Sequence, residues 1–244
     1  MTDQQIEIAT ADGRVTTFIS HPERGGPFPL VLFYMDAPGI REELRDMARR
    51  IASVGYYVML PNLYYRSGVM ELGKLPPEPD APERKRMFEL MESLSISKVM
   101  SDTDALIAHA QKHGAETAKI GCVGYCMSGQ YAINAAARHP DRVRAAASIY
   151  GVRLMTDAAD SPHKAAAKAK GELYFACAEV DHWMPIEQIE PLRRALRDAD
   201  ARAEVEVYPG VQHGFAFPAR PVYDKPSAER HWERLFALFR RNLG

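Results

Sequence analysis

The sequence predicts an α/β fold, a mostly parallel central sheet that begins with an antiparallel hairpin and carries helices on both faces. Three observations point there. Short apolar runs rich in β-branched and aromatic residues alternate with longer amphipathic stretches along the chain. Near the N-terminus, Ile6–Ala9 and Val15–Ser20 flank Asp12-Gly13, a strong two-residue hairpin signal. Finally, 244 residues that are 46% hydrophobic and 26% charged can bury a core without a disulfide or metal staple, so a single domain over residues 1–244 is expected.

After the hairpin, strands are expected at Pro29–Met35, Tyr56–Leu60, Ala118–Val123, Val143–Tyr150, Glu172–Ala176 and Ala203–Tyr208. The first of these is apolar without alternation, as a strand covered on both faces must be. Helices are expected at Glu42–Val54, Glu83–Leu94, Ser101–Lys112, Gly129–Arg138, Pro185–Leu196 and Ala228–Asn242. The last puts Trp232, Leu235, Phe236 and Phe239 on one stripe, which makes it a docking helix. Leu75–Pro82 holds four prolines, which forbid a helix or a central strand, so residues 66–82 read as a surface excursion and candidate lid. Ala158–Lys170 fits either a short helix or a mobile loop.

Charge narrows the classes of partner. With Lys plus Arg at 31 and Asp plus Glu at 32, the net charge of −1 leaves no basic excess for phosphates, so no nucleic acid partner is expected. The mean hydropathy is −0.30, and no apolar run approaches the ~18 residues of a membrane span. No basic-then-apolar leader opens the chain, and a cytoplasmic protein with no membrane partner is expected. Three cysteines are too few and too odd in number for a disulfide framework, so reduced thiols are expected. Net charge near zero is compatible with a monomer or a weak homodimer.

In a sheet of this kind ligands bind beyond the carboxyl ends of the strands, so the segments that follow strands matter most. After Lys119–Val123 stands Gly124-Tyr125-Cys126-Met127-Ser128-Gly129, and then an apolar helical stretch begins. This is the pattern of a nucleophile elbow with sulfur in place of oxygen: small flanking residues allow the sharp strand-to-helix turn that lifts the central side chain. At a helix N-terminus partial positive charge favours a thiolate at Cys126, and the Met127 N–H points where an oxyanion forms. The competing reading of Cys126 is an inert buried thiol, which is also the expectation for Cys122 and Cys177. Cys122 and Cys126 match neither C-x-x-C nor a four-ligand metal set.

A thiol nucleophile needs a base and a group that orients the base, expected in the chain order nucleophile, acid, histidine. Asp181 follows the strand that ends in Ala178-Glu179-Val180, and His213 follows the last strand. Taken singly, Asp181 also fits a helix N-cap and His213 a solvated loop residue. His182 competes as the imidazole, but it precedes the last strand.

These residues carry a resemblance over nearly the whole length. The elbow Gly124-Tyr125-Cys126, the pair Asp181-His182 followed by Pro185, His213 followed by Phe215, the turn Pro61-Asn62-Leu63-Tyr64 and Tyr150-Gly151 after a strand resemble the dienelactone hydrolase family of the α/β-hydrolase superfamily. The resemblance implies a Cys126-His213-Asp181 triad that opens a small lactone or carboxylic ester through an acyl-thioester, with no metal and no organic cofactor. It also implies a thiol-priming carboxylate at Asp36, an aspartate where the family's glutamate is usual, and a second oxyanion donor at the Ala37 N–H. Tyr150 falls among the implied substrate-binding residues, and two arginines are implied for a substrate carboxylate. The first matches Arg84; the second position holds Phe217, with Arg220 three residues later. Phenylalanine cannot replace a bidentate arginine, so either Arg220 serves or the substrate is less acidic or more apolar. Ser128 replaces a family glycine and sits off the elbow apex. On residue type alone Asp36 also fits an N-cap and Arg84 a solvated helix face. Two rival classes stand beside the enzyme: a non-catalytic binding or thiol-sensing protein on a hydrolase scaffold, and a redox protein using Cys122 and Cys126.

Overall fold

Residues 1–73, 75–76, 78 and 80–244 are described by a computed structural model of the chain. The strands are β1 (Thr2–Thr10), β2 (Gly13–His21), β3 (Phe28–Tyr34), β4 (Tyr57–Pro61), β5 (Ala115–Tyr125), β6 (Val143–Ile149), β7 (Glu172–Val180) and β8 (Ala203–Gln212). They form one sheet in the order β1-β2-β4-β3-β5-β6-β7-β8. The pairs β1/β2 and β2/β4 are antiparallel, and the rest are parallel.

The helices are α1 (Glu42–Ala52), α2 (Pro82–Ser93), α3 (Ile96–Lys112), α4 (Gly129–Arg138), α5 (Pro162–Ala165), α6 (Ile189–Asp198) and α7 (Lys225–Leu243). From β3 the chain moves one way to β4 through α1, then the other way through β5 to β8. Right-handed crossovers therefore put α1 on one face and α3 and α4 on the other. Contacts agree: α3 packs on α4, while Arg50 of α1 pairs with Glu229 and lies over the Trp232 ring of α7. The α7 stripe is buried at Trp232, Leu235 and Phe239, as a docking helix requires. Among the described residues no helix is long and apolar enough to cross a membrane.

Several boundaries differ from expectation, each for a local reason. The hairpin turn is Ala11-Asp12, one residue earlier than Asp12-Gly13, because Thr10 pairs with Gly13 across the strands. The Thr10 hydroxyl closes this turn by donating to Gly13 O at 3.1 Å, and Gly13 takes φ +141°, open to glycine. Helix α3 starts five residues early, where the Ser95 side chain caps it by accepting the Lys98 N–H at 3.2 Å. Helix α7 starts three residues early for the same reason, with Asp224 accepting from Ser227 N–H at 2.8 Å. The Ala158–Lys170 stretch resolves into α5 and a following 3-10 turn, Ala166–Lys168. Of the excursion over 66–82, Ile40 N–H donates to Met70 O at 2.9 Å and Gly39 bridges Glu71, tying it to the loop after β3. Residues 74, 77 and 79 of that excursion lie outside the described residues.

One buried pair joins sheet to helix beneath the elbow. The Tyr125 hydroxyl, at the end of β5, lies 3.0 Å from Nε2 of the fully buried His231 on α7. Nδ1 of His231 faces the Ala228 carbonyl and so carries the proton, which leaves Nε2 to accept from Tyr125. Burial pushes His231 down to about 3. The folded state therefore stays neutral at His231 while the unfolded chain takes up a proton below about pH 6.5. Stability is full above that pH and falls as the pH drops toward the folded value. Urea titrations should show wild type losing on the order of 3 kcal/mol between about pH 6.5 and about pH 4 from this group. His231→Gln, which keeps an acceptor for Tyr125 but cannot titrate, should lose that slope; equal slopes would show that His231 does not set it.

Candidate active site

The elbow is built by close packing. Strand β5 runs through Tyr125, the chain makes one 3-10 turn over Cys126–Ser128, and α4 begins at Gly129. Cys126 sits at φ +54°, a left-handed conformation that costs a non-glycine residue about 1–2 kcal/mol. Its surroundings impose that conformation. Gly124 lies so close to the Ser128 carbonyl that a Cβ would run into it, and at Gly129 a Cβ would stand 2.6 Å from Gly151 Cα. The Cys126 carbonyl accepts the Val152 N–H at 3.1 Å, and the buried Ser128 hydroxyl donates to the Met35 carbonyl. Cys126 is half-buried, whereas Cys122 and Cys177 are buried, with the Cys122 thiol pushed far up and Cys177 up to about 12 by burial.

His213 and Asp181 meet because of sheet register. Val180 pairs with Gln212 at the ends of the parallel neighbours β7 and β8, so the next residue on each strand is Asp181 and His213. His213 Nδ1 lies 2.7 Å from Asp181 Oδ2, and Asp181 Oδ1 accepts the Trp183 N–H at 2.9 Å. With Nδ1–H donating to the carboxylate, Nε2 of a neutral ring is an acceptor; it is buried, and Cys126 is the side chain near enough to interact with the ring. Burial opposes a charged ring here, yet the interactions with Cys126 and with the Asp181 carboxylate outweigh it and raise His213 to about 9. The Tyr150 ring stands 5.0 Å from that of His213, with Tyr150 at φ +37° and its hydroxyl buried without a partner. His182 is exposed, its ring tilted against that of Trp183 at 4.5 Å.

Asp36 lies just past β3, fully buried, with both oxygens engaged by guanidinium groups. Arg41 donates from Nη1 to Oδ1 at 2.6 Å and from Nη2 to Oδ2 at 3.2 Å, while Arg220 Nη2 reaches Oδ2 at 2.5 Å. Arg41 also binds Glu43 Oε2 at 2.6 Å, and Glu43 Oε1 accepts the Ala219 N–H at 2.9 Å. Phe217 is fully buried as the shared platform of both cations, 5.0 Å from Arg41 and 4.8 Å from Arg220. Arg220 packs on Gly214; burial opposes its charge, and the Asp36 carboxylate outweighs burial and raises it.

Ala37 and Met127, the expected oxyanion donors, are bridged by Tyr64, whose hydroxyl donates to Ala37 O at 2.8 Å and lies 3.3 Å from the Met127 sulfur. Arg84 donates from Nε to Pro76 O at 2.5 Å, and one helical turn along α2 Phe88 packs against Trp183. The structure thus brings Cys126, His213, Asp181, Tyr150, Asp36 and Arg220 to one end of the sheet. Sequence reasoning missed Arg41, Glu43 and Tyr64. The run Arg41-Glu42-Glu43 reads as an ordinary helix start, and only the Pro61–Tyr64 turn drew notice. Among the described residues no group of three or more His, Cys, Asp or Glu side chains is arranged to hold a metal ion.

Residues 15–243 match the model of the dienelactone hydrolase family. A protein of Methylorubrum extorquens named "Putative carboxymethylenebutenolidase" is 31% identical over 243 residues, covering 97% of this chain and 80% of that protein. A protein of the same name from Escherichia coli strain K12 is 30% identical, covering 90% of this chain and 79% of its own length. The crystal structure described as a "Putative Dienelactone Hydrolase" from Klebsiella pneumoniae superposes with a TM-score of 0.87 at 27% identity, covering 98% of each chain.

The packing argument at the elbow is checked by Gly124→Ala. Because the added Cβ meets backbone rather than a flexible side chain, denaturant melts should show a loss of at least about 1–3 kcal/mol. Alkylation of Cys126 at neutral pH should slow together with it, whereas an unchanged protein would mean that the turn has room to spare.

Proposed function

The chain belongs to the dienelactone hydrolase family and is a hydrolase of that type; from this premise we propose that it cleaves a small lactone or carboxylic ester through an acyl-thioester on Cys126. The observation that carries the proposal is the His213–Asp181 bond, which leaves a buried Nε2 to interact with a cysteine held at an elbow apex. Nε2 accepts the Cys126 proton, and Sγ attacks the carbonyl carbon to give a tetrahedral oxyanion. The N–H groups of Met127 and Ala37 receive that oxyanion, each contributing about 3 kcal/mol in comparable sites. As the intermediate collapses, the leaving oxygen takes the proton from Nε2; in a lactone it stays tethered to the acyl chain. Water then gives a proton to His213 and attacks the thioester; as this second intermediate collapses to the carboxylic acid, the Cys126 sulfur leaves and takes the proton back from His213, restoring the starting state. Asp181 fixes the ring tautomer and supports the cation formed at each proton transfer.

Substrate preference follows from the cations. Arg220 is 23% exposed, beside Cys126 and Tyr150, so an acyl chain bearing a carboxylate finds a positive group near the reacting carbonyl. Tyr150, with its unpartnered hydroxyl, supplies a hydrogen bond at the same end. A small acidic lactone is therefore the favoured substrate, and neutral esters are expected to turn over more slowly.

Hydrolysis of a dienelactone and of a neutral aryl acetate by wild type, Cys126→Ala and Asp181→Asn tests both parts. Cys126→Ala should abolish turnover of both compounds, and Asp181→Asn should lower kcat by roughly 10²–10⁴-fold. Retained activity in Cys126→Ala would sink the mechanism. Cysteine-dependent cleavage of the aryl ester alone would keep the mechanism and remove the acidic lactone.

A further inference from the structure

The two N–H groups offered to the oxyanion stand on separate loops, and the sheet stops fixing their separation before either is reached. Strands β3 and β5 pair in parallel up to Tyr34 and Gly124, and Ala37 and Met127 each lie three residues beyond that rung. Past it, three successive carbonyls are tied down by other means. The Ser128 hydroxyl donates to Met35 O, the Gly39 N–H donates to Asp36 O at 3.1 Å, and the Tyr64 hydroxyl donates to Ala37 O at 2.8 Å. Of these, the Tyr64 group also touches the other donor residue, its oxygen lying 3.3 Å from the Met127 sulfur. A phenol has one proton, and a carbonyl accepts it better than a thioether does, so the proton goes to Ala37 and the oxygen rests against the sulfur. Tyr64 is itself firmly placed. Strand β4, which precedes it, pairs with β3, and the buried Asn62 side chain closes the turn between them: Oδ1 accepts the Tyr64 N–H at 3.1 Å and Nδ2 donates to Val69 O at 2.8 Å. Burial pushes the Tyr64 phenol up, so it remains a donor across the neutral range.

Resting on the reading of Cys126 as nucleophile and of these N–H groups as its oxyanion donors, we propose that Tyr64 is a positioning residue that sets the distance between the Ala37 and Met127 N–H groups. Its hydroxyl holds the Ala37 loop by a hydrogen bond and stops the Met127 residue by contact, so one side chain from β4 gauges the gap between the loops after β3 and β5. An oxyanion donor works only within about 2.7–3.1 Å of the place the charged oxygen will occupy. A displacement of about 1 Å at a reacting centre can cost about 10²-fold in rate, so a brace on this gap matters even though it touches no reacting atom. The effect falls on the transition state, where charge collects on the oxygen, and not on the binding of the uncharged ester. A tyrosine that merely filled the core would act on substrate and transition state alike.

Tyr64→Phe keeps the ring and removes the bond, and two reactions of the same cysteine read the result. Acyl transfer from a neutral aryl acetate builds an oxyanion; alkylation by iodoacetamide, a displacement at saturated carbon, does not. In Tyr64→Phe, kcat for the aryl acetate should fall about tenfold to a hundredfold with KM within about twofold of wild type. The alkylation rate of Cys126 should stay within about twofold. A trifluoromethyl ketone, whose adduct with the thiol carries negative charge on the former carbonyl oxygen, should lose affinity by about the same factor as kcat/KM. Asn62→Ala, which withdraws the acceptor of the Tyr64 N–H and leaves the phenol in place, should show the same split, and it supplies the reading if Tyr64→Phe does not fold. Wild-type kcat in the folded variants overturns the assignment. So does a fall in alkylation equal to the fall in kcat, which would put the effect on the thiol or on the fold. If wild type cleaves no ester, or Cys126→Ala cleaves it equally well, the reading of Cys126 fails instead, so the two failures are distinguishable.

Discussion

The approach of Gly124 to the Ser128 carbonyl is the contact on which the reactive end of this molecule depends. It closes the turn between β5 and α4 so tightly that Cys126 has no alternative to a left-handed backbone. Gly129 against Gly151 and the Val152 bond to the Cys126 carbonyl brace the turn from the other side. The strain at one residue is small beside the burial of β5, whose residues from Ile120 to Tyr125 are inaccessible to solvent. A left-handed cysteine can persist here because the strand on one side and the helix on the other cannot both move.

Electrostatics then decides what that cysteine can do. Buried charges in this end of the protein are grouped with opposites: Asp36 and Glu43 with Arg41 and Arg220, Asp181 with His213. Such groups are costly to desolvate, so their main consequence is geometric rather than stabilising. Arg220 and Asp36 are 184 residues apart in the chain, yet one bond holds the loop after β3 to the loop after β8. The oxyanion donor expected at Ala37 and the base at His213 consequently share one frame. Tyr64 extends that frame to Met127, since its hydroxyl touches both the Ala37 carbonyl and the Met127 sulfur.

The elements were legible where hydrophobic pattern alone determines them. β3 and β4 are apolar on both faces, and the α7 stripe turns inward as its spacing requires. Boundaries set by one polar side chain were not, since Ser95 and Asp224 each extend a helix through a cap that competes with many similar serines and aspartates. At the site, Cys126, Asp181 and His213 stood out because each directly follows a strand. Arg41 did not, because its partners Asp36 and Glu43 are local but its platform, Phe217, is not. Phe217 occupied the position of an expected arginine; its ring instead carries the guanidinium of Arg220, three residues on, and that of Arg41 from the loop after β3.

The sequence by itself determined the alternation of strands and helices, the Gly124–Gly129 elbow pattern and the placing of Cys126, Asp181 and His213 directly after strands. These are properties of short segments, in which apolar period, glycine placement and strand ends act over a few residues. Only the tertiary structure decided the pairing of His213 with Asp181 at 2.7 Å, which depends on the register of two parallel strands. It alone also decided that Asp36 faces two arginines and that Arg84 bonds to the Pro76 carbonyl. Charged side chains are long and find partners across the fold, so their roles are set by which loops the sheet brings together, a quantity that no local pattern encodes.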